Sequence, residues 1–195
     1  MIDKIIPDEN IALTKAEGIV NAANGFGYMG GIRCIRELHR GVAESLQYAS
    51  HGEIEKLSRE ECKKHGLFGY PKGSVFITNA PLLDAIGIIH AVTMKTPGSK
   101  ARIKTIKKLV PEIIRAAEFL HLKTVAVPLL GTGTGGLPHR IVYDYLMDNL
   151  EESTVKFWIY TNHYDRTEDL VKIEIGGKGK GKQAYQKQKG TSKYE

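Results

Sequence analysis

The chain has 195 residues, enough for one well-filled core and short of what two ordinary domains need. Its two cysteines, Cys34 and Cys62, stand in no C-x-x-C or Cys/His spacing, which argues against a zinc site or a disulfide scaffold, and no apolar run reaches membrane-spanning length. The formal net charge of +6 reads as a nucleic-acid signal until it is divided: residues 176–195 hold six Lys and one Glu, or +5, so the body carries only +1.

A Gly/Lys/Gln stretch of that kind cannot bury a core. The expected organisation is therefore one domain over residues 1–170 and a flexible, Lys/Gly-rich tail over 171–195, useful for solubility or for weak, salt-dependent contact with nucleic acid. The opening residues Met1 to Pro7 lack a signal-peptide layout, so the expected setting is cytoplasmic, with no membrane partner.

Taken in chain order, a strand over Ile2 to Ile6 ends at Pro7-Asp8, and a second over Gly18 to Ala22 runs into a glycine-rich loop through Gly31. Ile32, Ile35, Leu38, Val42, Leu46 and Ala49 then recur at helical spacing. Ser58-Arg59-Glu60-Glu61 reads as a capping box at a helix start, and Gly66 to Gly73 as a turn-rich connection. Short β-branched runs at Ser74–Thr78 and Gly87–Val92 predict strands, the latter holding His90 as a core histidine with satisfied nitrogens. Ile103, Ile106, Val110, Ile113, Ala117 and Leu120 form one apolar helix face opposite Lys104, Lys107 and Lys108, with Pro111 expected to kink or divide the helix. Strands over Thr124–Val127 and Val155–Tyr160 complete the body.

Two loops carry the chemistry. Thr124-Val125-Ala126-Val127-Pro128 opens into Leu129-Leu130-Gly131-Thr132-Gly133-Thr134-Gly135-Gly136-Leu137-Pro138, with Pro138 suited to the first turn of the helix that follows. Glycines admit φ > 0 and close backbone approach, and a helix N-terminus offers unpaired N–H groups, so this is a phosphate cradle at the end of a buried strand. A Walker A loop is excluded because no Lys-Ser or Lys-Thr follows the last glycine, and a Rossmann fingerprint so late in the chain leaves too few strands after it. The earlier run from Gly18 to Ile32 repeats the strand–glycine loop–helix layout, with Asn21 and Asn24 suited to ribose hydroxyls or to organising the loop. Two such loops on neighbouring strands can clasp one diphosphate.

The run Ile19 to Asn24, the Gly30-Gly31 pair before a helix, Ile88-Ile89-His90-Ala91-Val92 and Val127 to Gly133 together resemble a macro domain, in the family's order and spacing over roughly residues 1–165. The resemblance implies a three-layer α/β/α sandwich with a central mixed, mostly parallel sheet, and a cleft for ADP-ribose, an ADP-ribosylated protein or ADP-ribose-1″-phosphate, with no metal and no cofactor. By the same resemblance Asn24 orients the distal ribose and is the candidate catalytic residue. Gly30, Gly31 and Ile32 form the first diphosphate loop, and Gly131, Thr132, Gly133, Thr134, Gly135 and Gly136 form the second. Asn10, eleven residues before Asn21 and next to Ile11, falls where the family has an adenine-binding Asp, and Tyr160 where it often places a ring against adenine.

The sequence departs from the family's hydrolytic pattern in two places. Arg33 stands where an Asp is common, and a guanidinium cannot act as a base, although it can pair with a phosphate. Glu37, one turn on, is the nearby carboxylate, and Gly135 replaces an aromatic residue that often caps the distal ribose. Three functions follow as alternatives: hydrolysis of an ADP-ribosyl ester or of a terminal phosphate on ADP-ribose, recognition without turnover, or association with nucleic acid through the tail.

Overall fold

The computed structural model describes residues 1–7, 9–36 and 41–161. The strands are β1 (Ile2–Ile6), β2 (Gly18–Asn24), β3 (Val75–Asn79), β4 (Gly87–Met94), β5 (Thr124–Pro128) and β6 (Lys156–Tyr160). The helices are α1 (Gly31–Arg36), α2 (Val42–Ala49), α3 (Glu53–His65), α4 (Ile103–Phe119) and α5 (His139–Leu150), and a 3-10 turn covers Ile11–Leu13. One sheet in the order β1-β6-β5-β2-β4-β3 is parallel throughout except for the antiparallel edge pair β3/β4.

Strand periodicity builds the three layers. Successive side chains point to opposite faces, so Val20, Ile89, Val125 and Val127 pack with Ile106, Leu109 and Ile113 of α4 and Val142 and Leu146 of α5. On the other face Ile19, Ile88 and Ala126 pack with Leu46 of α2 and Ile54 of α3. β4 is buried along its whole length and β2 nearly so, the mark of strands covered on both sides at the centre of a sheet. The mixed, mostly parallel α/β/α architecture is thus the one the sequence predicts.

Several local expectations give way. The apolar pattern from Ile32 to Ala49 forms two short helices, with Gly41 in extended backbone at the start of α2, and Leu38 and Glu37 lie outside the described residues. Ser58 is not a cap: it lies fully buried inside α3, which instead begins after the left-handed Gly52 with Glu53 and Glu55 in its first turn. α4 runs unbroken through Pro111. The proline removes the N–H that the Lys107 carbonyl would accept, and the Tyr145 hydroxyl approaches that carbonyl at 3.5 Å. Pro138 precedes α5 in extended backbone rather than occupying its first turn. The tail from 171 also lies outside the described residues.

Candidate ligand cleft

β2 and β5 pair only through Gly18↔Val125 and Ile19↔Ala126, so the ladder between them stops early, and a crevice opens toward their C-terminal ends. Register brings the ends of their outer neighbours to the same level: Asn24 lies opposite Met94 of β4, and Pro128 opposite Tyr160 of β6. A cleft of about 340 Å³ occupies this edge, with Asn24, Met94, Pro128 and Tyr160 all in its wall. That volume suits a small organic ligand.

Asn24, 6% exposed, spends most of its side chain on its own loop. Its Oδ1 accepts from the N–H groups of Phe26 (3.1 Å) and Tyr28 (3.3 Å), and its Nδ2 donates to the Tyr28 carbonyl at 2.7 Å. One Nδ2 hydrogen remains for a ligand. Below the loop, the buried Glu55 of α3 accepts from the N–H of Met29 at 2.6 Å and of Gly31 at 2.9 Å through Oε2. The first loop therefore turns two of its amides toward an internal carboxylate, away from the cleft. Gly30, at φ +104° and with Cys34 Sγ 2.3 Å from where a Cβ would stand, must be glycine for the fold's sake.

The second loop is built the other way. Gly131 and Gly135 are packed too closely for a side chain: an added Cβ would lie 2.8 Å from Ala101 Cβ at the first and 2.5 Å from the Gly131 carbonyl oxygen at the second. The Thr132 hydroxyl donates to the Leu129 carbonyl at 2.7 Å, and Leu137 N–H to the Gly131 carbonyl at 3.0 Å, so the turn holds itself. The N–H groups of Gly133, Thr134 and Gly135 take part in none of these bonds, and all three residues line the cleft. Lys100 stands beside Gly136, its Nζ 3.1 Å from an added Cβ there, and supplies positive charge next to the free amides. The wall ends at Gly135, short of α5, so the loop backbone forms the cradle without the helix N-terminus.

At the far end lie Asn10, Ile11 and Tyr160. Asn10 Oδ1 caps the 3-10 turn by accepting from Ala12 N–H at 3.0 Å. Tyr160 is 3% exposed, and burial pushes its phenol above the ordinary tyrosine range.

Five sequence-selected residues are not in this wall. Asn21 faces the opposite way, into the core: its Nδ2 lies 3.2 Å from His90 Nδ1, and His90 Nε2 lies 2.9 Å from the Thr78 hydroxyl. An amide donating to Nδ1 leaves the ring proton on Nε2, so both nitrogens of a neutral His90 are satisfied, while Asn21 Oδ1 is buried without a partner among the described residues. Full burial agrees, pushing His90 down to about 3. Ile32 is 68% exposed, Arg33 is also exposed on α1, and Gly31 and Gly136 turn the backbone at positive φ just outside the cleft. Conversely, sequence reasoning missed two wall segments. One is the turn after β4, with Pro97 and Gly98, whose Pro-Gly pair was the available signal; the other is the first turn of α2, Gly41 to Ser45, which no local pattern distinguishes.

Paired glycine turns thus stand at the C-terminal edge of a mostly parallel sheet, with unpaired amides on one of them, an arrangement chemically suited to an anion. The family is equally plain: the macro domain model matches residues 20–146, and the chain belongs to that family. Among relatives, an uncharacterised protein of Sulfurisphaera tokodaii is 35% identical over 160 residues, 80% of this chain and 79% of the relative. A macro domain-containing protein of Methanosarcina mazei is 28% identical, over 85% and 83% of the two chains. Among solved structures, the macrodomain of Mycobacterium tuberculosis DarG superposes with TM-score 0.66 at 24% identity, covering 80% of this chain and 96% of that one. A mutant Oceanobacillus iheyensis macrodomain with ADP-ribose gives 0.67 at 22%, covering 88% and 93%. No helix among the described residues is long and apolar enough to cross a membrane.

Proposed function

We propose that the protein binds ADP-ribose, either free or as the ADP-ribosyl group of a modified protein. The observation that carries this reading is Gly133. An added Cβ there would meet nothing within 4 Å, and its backbone needs no positive φ, so the fold has no use for glycine at this position. What the missing side chain leaves clear is the cleft, next to three unpaired amides. In this reading the diphosphate rests on Gly133, Thr134 and Gly135 beside Lys100, adenine lies toward Asn10, Ile11 and Tyr160, and the distal ribose reaches Asn24 and Gly30. The neighbouring macrodomain solved with ADP-ribose supports the choice of ligand. The domain acts in the cytoplasm, and the stretch from 171 to 195 makes only weak, salt-dependent contact with nucleic acid.

Calorimetric titration with ADP-ribose tests this directly. One-to-one binding by the native chain, lost in a folded Gly133→Val variant, is the expected result. Heat-silent titration of a folded native chain overturns the reading, and equal affinity in Gly133→Val removes the second loop from the site.

A further inference from the structure

A second hollow, of about 300 Å³, lies behind the first loop among α1, α2 and α3, and it shares no wall residue with the cleft. Its volume suits a ligand of amino-acid size. Two polar side chains in its wall are withdrawn from water, Gln47 at 2% exposure and Glu55 at 6%. Each fastens the loop with one terminal atom and keeps the other. Gln47 must turn Nε2 toward the Gly31 carbonyl, 3.4 Å away, which leaves Oε1 buried without a partner among the described residues. Glu55 accepts both loop amides on Oε2, while its Oε1 enters no hydrogen bond and its carboxylate no ion pair among those residues. Buried acceptors are ordinarily met by donors, so the floor of this hollow is short of them.

The rim has the opposite character. Lys56, Arg59, Glu60 and Lys63 fall on one face of α3 at i, i+3, i+4 and i+7, three cations to one carboxylate. Arg59 is held over the Tyr28 ring, 4.5 Å from its centroid, and Lys56 makes only a loose, exposed pair with Glu53 at 3.9 Å. From α1, Ile32 and Ile35 add apolar wall, Ile32 being 68% exposed. We propose that this hollow is a second ligand site, for a small zwitterion with a guanidinium or ammonium at one end and a carboxylate at the other. The cation donates to Gln47 Oε1 and Glu55 Oε1 at the floor, the carboxylate lies among the rim cations, and the methylenes between them cover the two isoleucines. A simple anion suits the rim but sets a like charge against Glu55, and a simple cation does the reverse. Only a dipolar ligand meets both, and the inference stands independently of the ADP-ribose reading.

The experiment is a heteronuclear NMR titration of the full chain with γ-guanidinobutyrate, and with n-butylguanidinium and butyrate as its two halves. Expected are saturable shifts of the Gln47 side-chain amide and the Gly31 backbone amide with γ-guanidinobutyrate, and binding of either half weaker by about tenfold or more, the scale of one lost charge-assisted bond. Gln47→Leu removes the floor acceptor and should weaken γ-guanidinobutyrate by ~10- to 100-fold. Arg59→Gln, on the half-buried face of α3, should weaken it by about tenfold and reads the rim even where Gln47→Leu does not fold. The proposal is overturned by a folded native chain that shows no saturable binding, by shifts confined to residues of the cleft, or by either half binding as well as the whole. Affinity within about threefold of native in either folded variant overturns it too.

Discussion

The two glycine loops occupy equivalent places at the ends of β2 and β5, yet they solve opposite problems. In the first, the backbone amides of Met29 and Gly31 are consumed by Glu55, and Gln47 of α2 reaches the Gly31 carbonyl at 3.4 Å, so the loop is fastened from behind. In the second, the turn closes on its own carbonyls and leaves the amides of Gly133, Thr134 and Gly135, residues of the cleft wall, without a partner among the described residues. The first loop is therefore scaffold and the second is contact surface. Similar composition conceals this, because glycine spacing says where a backbone can turn but not which way its N–H groups point.

The largest expected effect comes from removing the brace. Glu55→Ala strands one buried and one part-buried N–H group that bonded to a charged acceptor, and a loss of about 2–4 kcal/mol of stability is expected from such bonds. Urea unfolding measures it, and ADP-ribose affinity in the surviving folded protein should fall by less than tenfold. A greater loss of affinity than of stability would make the first loop a contact surface too.

Next comes the second loop, where Gly133→Val should weaken ADP-ribose by roughly 100-fold, or about 2.7 kcal/mol, with melting unchanged. Gly135→Ala should do the reverse, costing stability because its Cβ would meet the Gly131 carbonyl at 2.5 Å. If both variants behave alike, the division between packed and open glycines within the loop is wrong.

The polar interior beneath the first loop adds a pH signature. His90 is held neutral in the fold at about 3 against an ordinary value near 6.5, so the unfolded chain binds the extra proton between those limits. Stability from this group is complete above about pH 6.5 and is lost as pH falls toward 3, by at most ~1.4 kcal/mol per unit and roughly 2 kcal/mol by pH 5. Denaturation across pH 5–7.5 reads the slope, and a His90→Phe variant should lose that share of it. An unchanged slope would mean that His90 does not titrate on unfolding in this window.

The smallest effect is expected at Asn10, whose Oδ1 already caps the 3-10 turn. Asn10→Ala should cost roughly 0.5–1.5 kcal/mol of stability through the lost cap. A matching loss in ADP-ribose affinity, measured on the folded fraction, would show that the remaining lone pair meets adenine. Unaltered affinity would reduce Asn10 to a structural cap.

Much of this site is legible in the chain. Thr124 to Pro128 and the glycines after it are strand and turn for local reasons, as are Gly18 to Asn24 and the loop they enter. Strand periodicity even carried an unused warning: Asn21 and Asn24, three residues apart, belong to opposite faces of β2, and only Asn24 stands in the cleft. Arg33 misled because motif alignment fixes a position along the chain and says nothing about exposure. Ser58 misled because a Ser-x-x-Glu spacing also occurs inside helices.

By itself the sequence determined the strands, the glycine turns and the family, since apolar periodicity, chirality and the absence of a Cβ act within a few residues. Only the tertiary structure decided that Glu55 claims the first loop, that Gly133 alone among the glycines of the second loop stands in open space, and that Glu44 lines the cleft from α2. Glu44 and Glu55 lie on separate helices downstream of the loop they serve, and the packing of α2 and α3 against the sheet sets their reach. Which donor meets which acceptor is settled by that packing, because a hydrogen bond demands direction and distance that spacing along the chain does not encode.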